Sequence, residues 1–468
     1  MASKALHIAQ GVFSNICRFL LAIVFLFSGI SKAIDPHGTE YKIGDYLASF
    51  GLSGYFPDYF PLLIGMILAA VEFYVGLCLL FGMNRRMASW ASLLIMCVMT
   101  PLTLYIAVTN SITDCGCFGD IWVLTNWQTF AKNVVLLSAA IVLFTWHHYR
   151  VVRLIGQNTQ WLISLYGLLF IFLLEVYSLY FLPVADFTVY RNGTNVLQGM
   201  EVPEGAEVPE FESVFIMEKN GEKKEFSLEN YPDSTWNYVE TITTQTKEGY
   251  VPPIHDFVLQ DAETGEEQTE VLLNREGYTF LLVAPDLPHA EQGAFDQINE
   301  LYDYCLKNGY DFVALTASGE DAIARWKYET GAVYPFWNAD GTMLKTLVRS
   351  NPGLVLMKNG TIINKWSQND LPTDDLTDRL DKLPIDHSDE TQESRLGALV
   401  LLFLGMPLLL IMLLDRVWAG FKWIGKIRRR SKIANLLKKR KNEKENRSRK
   451  LEDEQESPGR NCISSGTE

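Results

Sequence analysis

Cysteine is scarce in this chain: there are seven in 468 residues, and five of them stand alone. That excludes a disulfide-stapled scaffold, which needs a dense set of pairs. Histidine is as sparse, at seven, and no His/Cys group has the spacing of a metal site. Basic charge is in deficit, with 41 Lys and Arg against 55 Asp and Glu, so nucleic acid is excluded as the main partner. A secretory leader is also lacking. The first apolar run carries Arg18 and Lys32 and has no small-residue cleavage site behind it, so it reads as a retained helix. Internal repeats of the transporter kind are absent.

Long apolar runs are plentiful. Six reach the ~20 residues that a membrane helix needs: about Val12–Lys32, Tyr59–Gly82, Ala88–Val108, Trp127–Trp146, Trp161–Leu182 and Leu396–Trp418. Basic residues collect at Lys4, at Arg85 and Arg86, at His147 to Arg153, and from Lys422 onward. All four segments fall on one side if both termini are cytoplasmic. The expectation is a multi-pass inner-membrane protein whose 183–393 region is periplasmic. That region has about forty acidic and about fifteen basic residues. The basic tail, 421–468, directly follows a membrane helix and is suited to anionic lipid headgroups. Its end, 452–468, reads as disordered, with Cys462 incidental.

Cys115 and Cys117 are the one local pair, in a polar loop between two apolar runs. A disulfide across one residue is strained and prone to exchange, and Gly116 permits the tight bend. The alternatives are a structural staple and an inert reduced pair. Asp114 and Asp120 flank the pair and should raise the thiol pKa, which weighs against strong activation. Within the membrane runs, Glu72, Arg18 and Lys32 are the notable polar residues. A carboxylate at the depth of Glu72 is a functional candidate by default. It could instead be a structural partner of Arg18 or a protonated acid. Cys78 and Cys97 read as packing residues, and Glu175 as reaching the outer interface.

Arg18-Phe19-Leu20 through Phe27-Ser28-Gly29-Ile30-Ser31-Lys32 to Asp35-Pro36 resembles the opening helix of the DoxX family, and the surroundings of Glu72 fit it. Asp114-Cys115-Gly116-Cys117-Phe118-Gly119, ahead of a helix beginning with Trp127, resembles the signature of the methylamine-utilisation protein MauE family, a DoxX relative. The resemblance spans about Val12 to Trp146. It implies a four-helix membrane core and work beside a thioredoxin-like partner in maturing exported proteins. Methylamine oxidation is not implied, because no site for its cofactor is evident; a membrane quinone is the one cofactor candidate.

Val251-Pro252-Pro253-Ile254-His255-Asp256-Phe257 resembles the opening of a thioredoxin-like domain of the TlpA type. Strands at 278–283 and 310–316, helices at 289–308 and 319–330, a hairpin around Asn359-Gly360 and a closing helix near Leu383 follow its α/β pattern. Pro352 matches the family's cis-proline and is the candidate client-binding position. Where the family has Cys-x-x-Cys, this chain reads Asp286-Leu287-Pro288-His289, so the domain is degenerate. Cys305 reads as core.

The expected fold is an α-helical transmembrane bundle with an extracytoplasmic α/β thioredoxin-like domain. Its parts are a four-helix membrane domain (1–150), a fifth span (151–183), a β-rich connector with a hairpin at Asn220-Gly221 (184–248), the thioredoxin-like domain (249–385), a sixth span (395–420) and the tail (421–468). The expected function is thiol–disulfide chemistry or maturation of exported proteins through Cys115 and Cys117. The rivals are a non-enzymatic scaffold that binds clients and, more weakly, a subunit of a quinone-linked oxidoreductase. Expected partners are the lipid membrane and a separate thioredoxin-like protein or exported clients.

Overall fold

Length and apolar composition together mark the helices able to cross a bilayer. In the computed structural model the described residues are 2–455, apart from 53, 111, 113–114, 147–151, 204, 206–209, 220–221, 228–236, 248 and 384–389. The chain opens with α1 (Ala2–Ile34), α2 (Pro36–Ser49), α3 (Phe60–Phe81), α4 (Arg85–Thr109), α5 (Asn126–Trp146) and α6 (Gln160–Tyr180). All but α2 are long and apolar enough to span a bilayer. α1 and α3 pack along their length because Gly29 brings them together. A Cβ there would lie 2.7 Å from the Phe73 nitrogen and 2.8 Å from the Ala69 carbonyl. Leu21, Phe73, Leu77 and Ile163 close the bundle core.

Between the first two spans the chain forms a shorter helix, α2. Asp35 ends α1 and caps α2 by accepting from the Gly38 nitrogen (2.8 Å), with Pro36 at the first helical position. The chain therefore folds back over the end of the bundle. Glu175 departs from expectation. It does not reach the interface but is buried on α6, 3 % exposed, with Oε1 unpaired among the described residues.

After α7 (Val196–Met200), a three-stranded antiparallel sheet of β1 (Glu210–Lys219), β2 (Glu222–Ser227) and β3 (Asn237–Lys247) has the order β2-β1-β3. Lys219 pairs with Glu222 at the end of the first hairpin. Asn220 and Gly221 themselves lie outside the described residues.

The α/β region runs β4 (Leu259–Asp261), α8 (Thr269–Leu273), β5 (Tyr278–Val283), α9 (Phe295–Asn308), β6 (Asp311–Thr316), α10 (Glu320–Thr330), β7 (Phe336–Ala339), α11 (Gly341–Leu347), β8 (Gly353–Lys358) and β9 (Thr361–Ser367). The sheet order is β4-β7-β6-β5-β8-β9. β5, β6 and β7 are parallel, while β8 and β9 run antiparallel beside β5. A central parallel βαβ unit flanked by an antiparallel hairpin is the thioredoxin-like arrangement. β5 is buried on both faces, which its unbroken run Tyr-Thr-Phe-Leu-Leu-Val requires.

Two elements are shorter than the sequence suggests. α9 begins at Phe295 rather than His289, because Pro288 and Gly293 break the first turns and leave only a 3-10 turn at Leu287–His289. The closing helix is a 3-10 turn, Leu380–Lys382, after a Pro372-Thr373-Asp374-Asp375 stretch that favours turns. The last element is longer. α12 (Glu390–Gln455) carries the sixth span without interruption into the basic tail, which is rich in good helix formers. No helix end falls at 420, and Cys462 lies outside the described residues.

Candidate functional site

The turn that carries the two cysteines is held from three sides. Gly116 has φ +63, a left-handed conformation that a side chain would strain, and the Gly119 nitrogen closes the turn on the Gly116 carbonyl (3.1 Å). From α2, the Tyr46 hydroxyl donates to the Cys115 carbonyl (2.8 Å). From α1, Lys32 Nζ donates to the Cys117 carbonyl (3.1 Å), and Ser28 Oγ lies 2.7 Å from that same oxygen. From α5, Lys132 Nζ lies 3.9 Å from the centre of the Phe118 ring, which also meets Phe27 edge-on at 5.2 Å.

Beneath the turn is a buried polar triad. Lys32 Nζ pairs with Glu72 Oε2 at 2.8 Å and donates to Ser28 Oγ at 2.6 Å, both side chains being about 5 % exposed. Ser28 Oγ is 2.8 Å from Glu72 Oε2. An ammonium has three donors, and here each has an acceptor: Glu72, Ser28 and the Cys117 carbonyl. Glu72 thus pairs with Lys32. Arg18, the partner weighed from sequence, is at the other end of α1.

The thiols are 3.0 Å apart and unbonded, against ~2.05 Å for a disulfide. The Cys115 hydrogen bond holds the Cys117 thiol below its ordinary range; burial and Glu72 oppose this, and Lys132 and Lys32 reinforce it. Cys115 is pushed up by the same hydrogen bond and by burial. Of the two flanking carboxylates, Asp120 is not among the groups that set this balance. Asp114 lies outside the described residues, and Asp120 is engaged by an arginine from the other domain.

That arginine is Arg349, between α11 and β8. It is 7 % exposed. Its Nε donates to Asp35 Oδ2 (3.0 Å) and its Nη2 to Asp120 Oδ2 (3.1 Å), while its plane lies over Tyr41 of α2. Burial works against its charge, but Asp35 and Asp120 outweigh it and keep the guanidinium firmly protonated. The thioredoxin-like domain is thereby pinned to both ends of the cysteine site: the α1–α2 corner and the residue that follows Gly119. At a second point, Asn369 Nδ2 donates to the Tyr180 carbonyl at the end of α6 (2.7 Å).

Cavities lie on both sides of the turn. Inside the bundle, one of about 230 Å³ is lined by Cys115, Cys117, Lys32, Glu72, Tyr46 and apolar side chains such as Phe25, Leu68 and Met99. Outside, under the thioredoxin-like domain, one of about 470 Å³ is lined by Gly116, Gly119, Asp120, Tyr41, Lys345 and Arg349. Gly116 borders both cavities, whereas Cys115 and Cys117 border only the inner one of the two and Gly119 only the outer one.

The position of the missing dithiol holds a buried Leu287 and an exposed His289, whose Nδ1 is 2.8 Å from Asp286 Oδ2. That contact and the more distant Asp58 raise the His289 pKa. Cys305 is fully buried and its thiol is pushed up by burial. The Asn351–Pro352 peptide is cis and Pro352 is buried. The Asn351 carbonyl already accepts from the Glu291 nitrogen (3.0 Å), and Ser350 Oγ donates to the Pro352 carbonyl (2.6 Å). Tyr46, Lys132 and Arg349 had no motif to mark them in the sequence.

The order of helices, the Cys-Gly-Cys-Phe-Gly turn and the polar triad beneath it invite comparison. Residues 10–146 match the family described as Methylamine utilisation protein MauE. This MauE-like part is under a third of the chain, and it contains all the membrane residues of the cysteine site. Residues 211–248, the small sheet, match a family described as Domain of unknown function (DUF8463). No curated protein matches the chain. The solution structure of a candidate protein disulfide isomerase from Bacteroides thetaiotaomicron is similar over 25 % of this chain and 78 % of its own, at 15 % identity and a TM-score of 0.21. The thioredoxin-like fold of the α/β region rests on its strand order. The chain is a multi-pass membrane protein, with a MauE-like bundle joined to that fold.

Proposed function

We propose that this protein is the membrane component of a thiol–disulfide oxidoreductase in which Cys115 and Cys117 cycle between dithiol and disulfide. One observation carries the reading: two thiols in contact at the mouth of an apolar cavity, with a buried Lys32–Glu72–Ser28 triad gripping the turn that bears them. In the oxidised state, a thiolate of an exported protein or thioredoxin-like partner attacks one sulfur of the Cys115–Cys117 disulfide. A mixed disulfide forms, and the partner's second thiolate resolves it. The partner leaves as its disulfide, and two electrons and two protons remain on the cysteines. A quinone in the inner cavity takes both and leaves as quinol, which restores the disulfide. Cys117, held below the ordinary thiol range with Lys132 and Lys32 at hand, is the sulfur suited to attack the acceptor or to leave from a mixed disulfide.

On this reading the thioredoxin-like domain does no sulfur chemistry. It seats the cysteine turn through Arg349, on the periplasmic side of the inner membrane, with both termini cytoplasmic. A client scaffold along Pro352 is the less supported alternative, because the backbone groups there are already hydrogen-bonded within the domain. The test is quinone-dependent oxidation of a small dithiol by the purified full chain in detergent. Two-electron turnover with a short-chain quinone, lost in Cys115→Ser and in Cys117→Ser, is the expected result. Equal turnover by the wild type and both variants would overturn the proposal.

A further inference from the structure

The opposite end of the bundle holds a polar cluster that the thiol chemistry does not use. Arg18 lies about 21 Å along α1 from Lys32 and is 1 % exposed. Its Nη1 donates to the Val152 carbonyl (2.6 Å), and its Cζ is 4.4 Å from the centre of the Phe19 ring. Its Nε and Nη2 are buried with no hydrogen-bond partner among the described residues, and so is Nε of Arg85 at the start of α4. Arg153 completes the group. A Cβ on Gly82 would meet Arg18 Nη1 at 2.9 Å and the Arg153 Cα at 3.4 Å, and the charge of Arg85 acts on Arg18 as that of Arg153 acts on Arg85. One turn before Arg18 on the same face of α1, Ser14 Oγ is also buried and unpaired.

No carboxylate of the surrounding helices can answer this charge. The sequence has no Asp or Glu at 1–34, at 82–113 or at 121–174. Asp415 of α12 is the acid at this end, and it is engaged by the Gly156 nitrogen (2.9 Å) and Thr159 Oγ1 (2.6 Å). A guanidinium does not shed its proton, and a buried one with unmet donors is costly. Nε and Nη2 form one edge of the guanidinium fork, the edge that takes two oxygens of a phosphate side by side.

We propose that Arg18, Arg85 and Arg153 form a binding site for a phosphate group, with the free edge of Arg18 as its floor. The group comes either from an anionic lipid headgroup or from free phosphate. The test uses the full chain in a neutral maltoside detergent, its thermal unfolding followed with short-chain phosphatidylglycerol, short-chain phosphatidylcholine or inorganic phosphate. Phosphatidylglycerol should raise the midpoint by about 3 °C or more, phosphatidylcholine should not, and Arg85→Gln and Arg153→Gln should each lose most of the rise. The exposed Arg153 keeps the test open should Arg18→Gln fail to fold. Inorganic phosphate matching phosphatidylglycerol would identify a soluble anion as the ligand; no response to phosphate would identify the lipid. A wild type that responds to neither anion, or variants that respond as the wild type does, would overturn the site.

Discussion

The membrane bundle and the thioredoxin-like domain bury opposite things. Among the described residues, four of the five charged residues that are buried as wholes, Arg18, Lys32, Glu72 and Glu175, lie in membrane helices; the fifth is Arg349, at the junction, and in the thioredoxin-like domain the buried Lys365 side chain is paired with Asp186. The sheet of the thioredoxin-like domain is packed on both faces by aliphatic and aromatic side chains. Hydrocarbon is the dearer place for charge, so its presence there asks for a function. The domain whose fold commonly carries a dithiol has a plain core and no accessible sulfur. On the proposed reading, chemistry in this chain has parted from the fold that usually hosts it.

The strongest way to break that comparison is to move the sulfur. Cys115→Ser and Cys117→Ser should each bring dithiol oxidation to background, while Cys305→Ser should retain the wild-type rate. Loss in the Cys305 variant with a normal melting curve would return the chemistry to the thioredoxin-like domain. Next in size is the triad. Glu72→Gln leaves Lys32 as an uncompensated buried charge, with an expected stability loss of about 3 kcal/mol or more by thermal unfolding. Lys32→Met with Glu72→Gln should recover much of that stability but not the oxidation rate.

Arg349→Gln tests the junction. Its loss removes the guanidinium that Asp35 and Asp120 share, and water-soluble maleimide should label Cys117 several-fold faster as the domain lifts. Unchanged labelling would mean that the other contacts, including Asn369 to Tyr180, seat the domain unaided. The smallest effect expected is on pH. A depressed Cys117 pKa keeps its thiolate present as pH falls below ~8.5, the ordinary thiol value. Alkylation of Cys117 should therefore stay fast at neutral pH and fail only in acid. Lys132→Gln should move that profile to higher pH, since removing a cation favours the neutral thiol. A profile centred on the ordinary value in both proteins would remove thiolate activation from the account.

Much of this organisation is legible from sequence because it depends on local composition. The six spans follow from runs of apolar residues, and β5, β6 and the Asn359-Gly360 hairpin from period and turn chemistry. The cysteine turn stands out because its residues are adjacent. What surrounds it does not, because Tyr46, Glu72, Lys132 and Arg349 come from four distant stretches of chain. Glu72 is conspicuous as a lone carboxylate in an apolar run, but nothing local selects Lys32 over Arg18 as its partner. Asp120 misleads for the same reason: nearness in sequence suggests that it governs the thiols, while it pairs with Arg349.

The cysteine turn is a partition between two cavities: Gly116 faces both, and of the two only the more apolar inner one is bordered by the cysteines. Its selectivity is then a matter of solubility before it is a matter of shape. Among alkylating agents of equal reactivity, those that dissolve in octanol should reach the sulfurs first, and polar ones should queue at the glycines. On the proposed reading, the molecule that delivers electrons and the molecule that collects them each meet the sulfurs in turn, and need never meet each other.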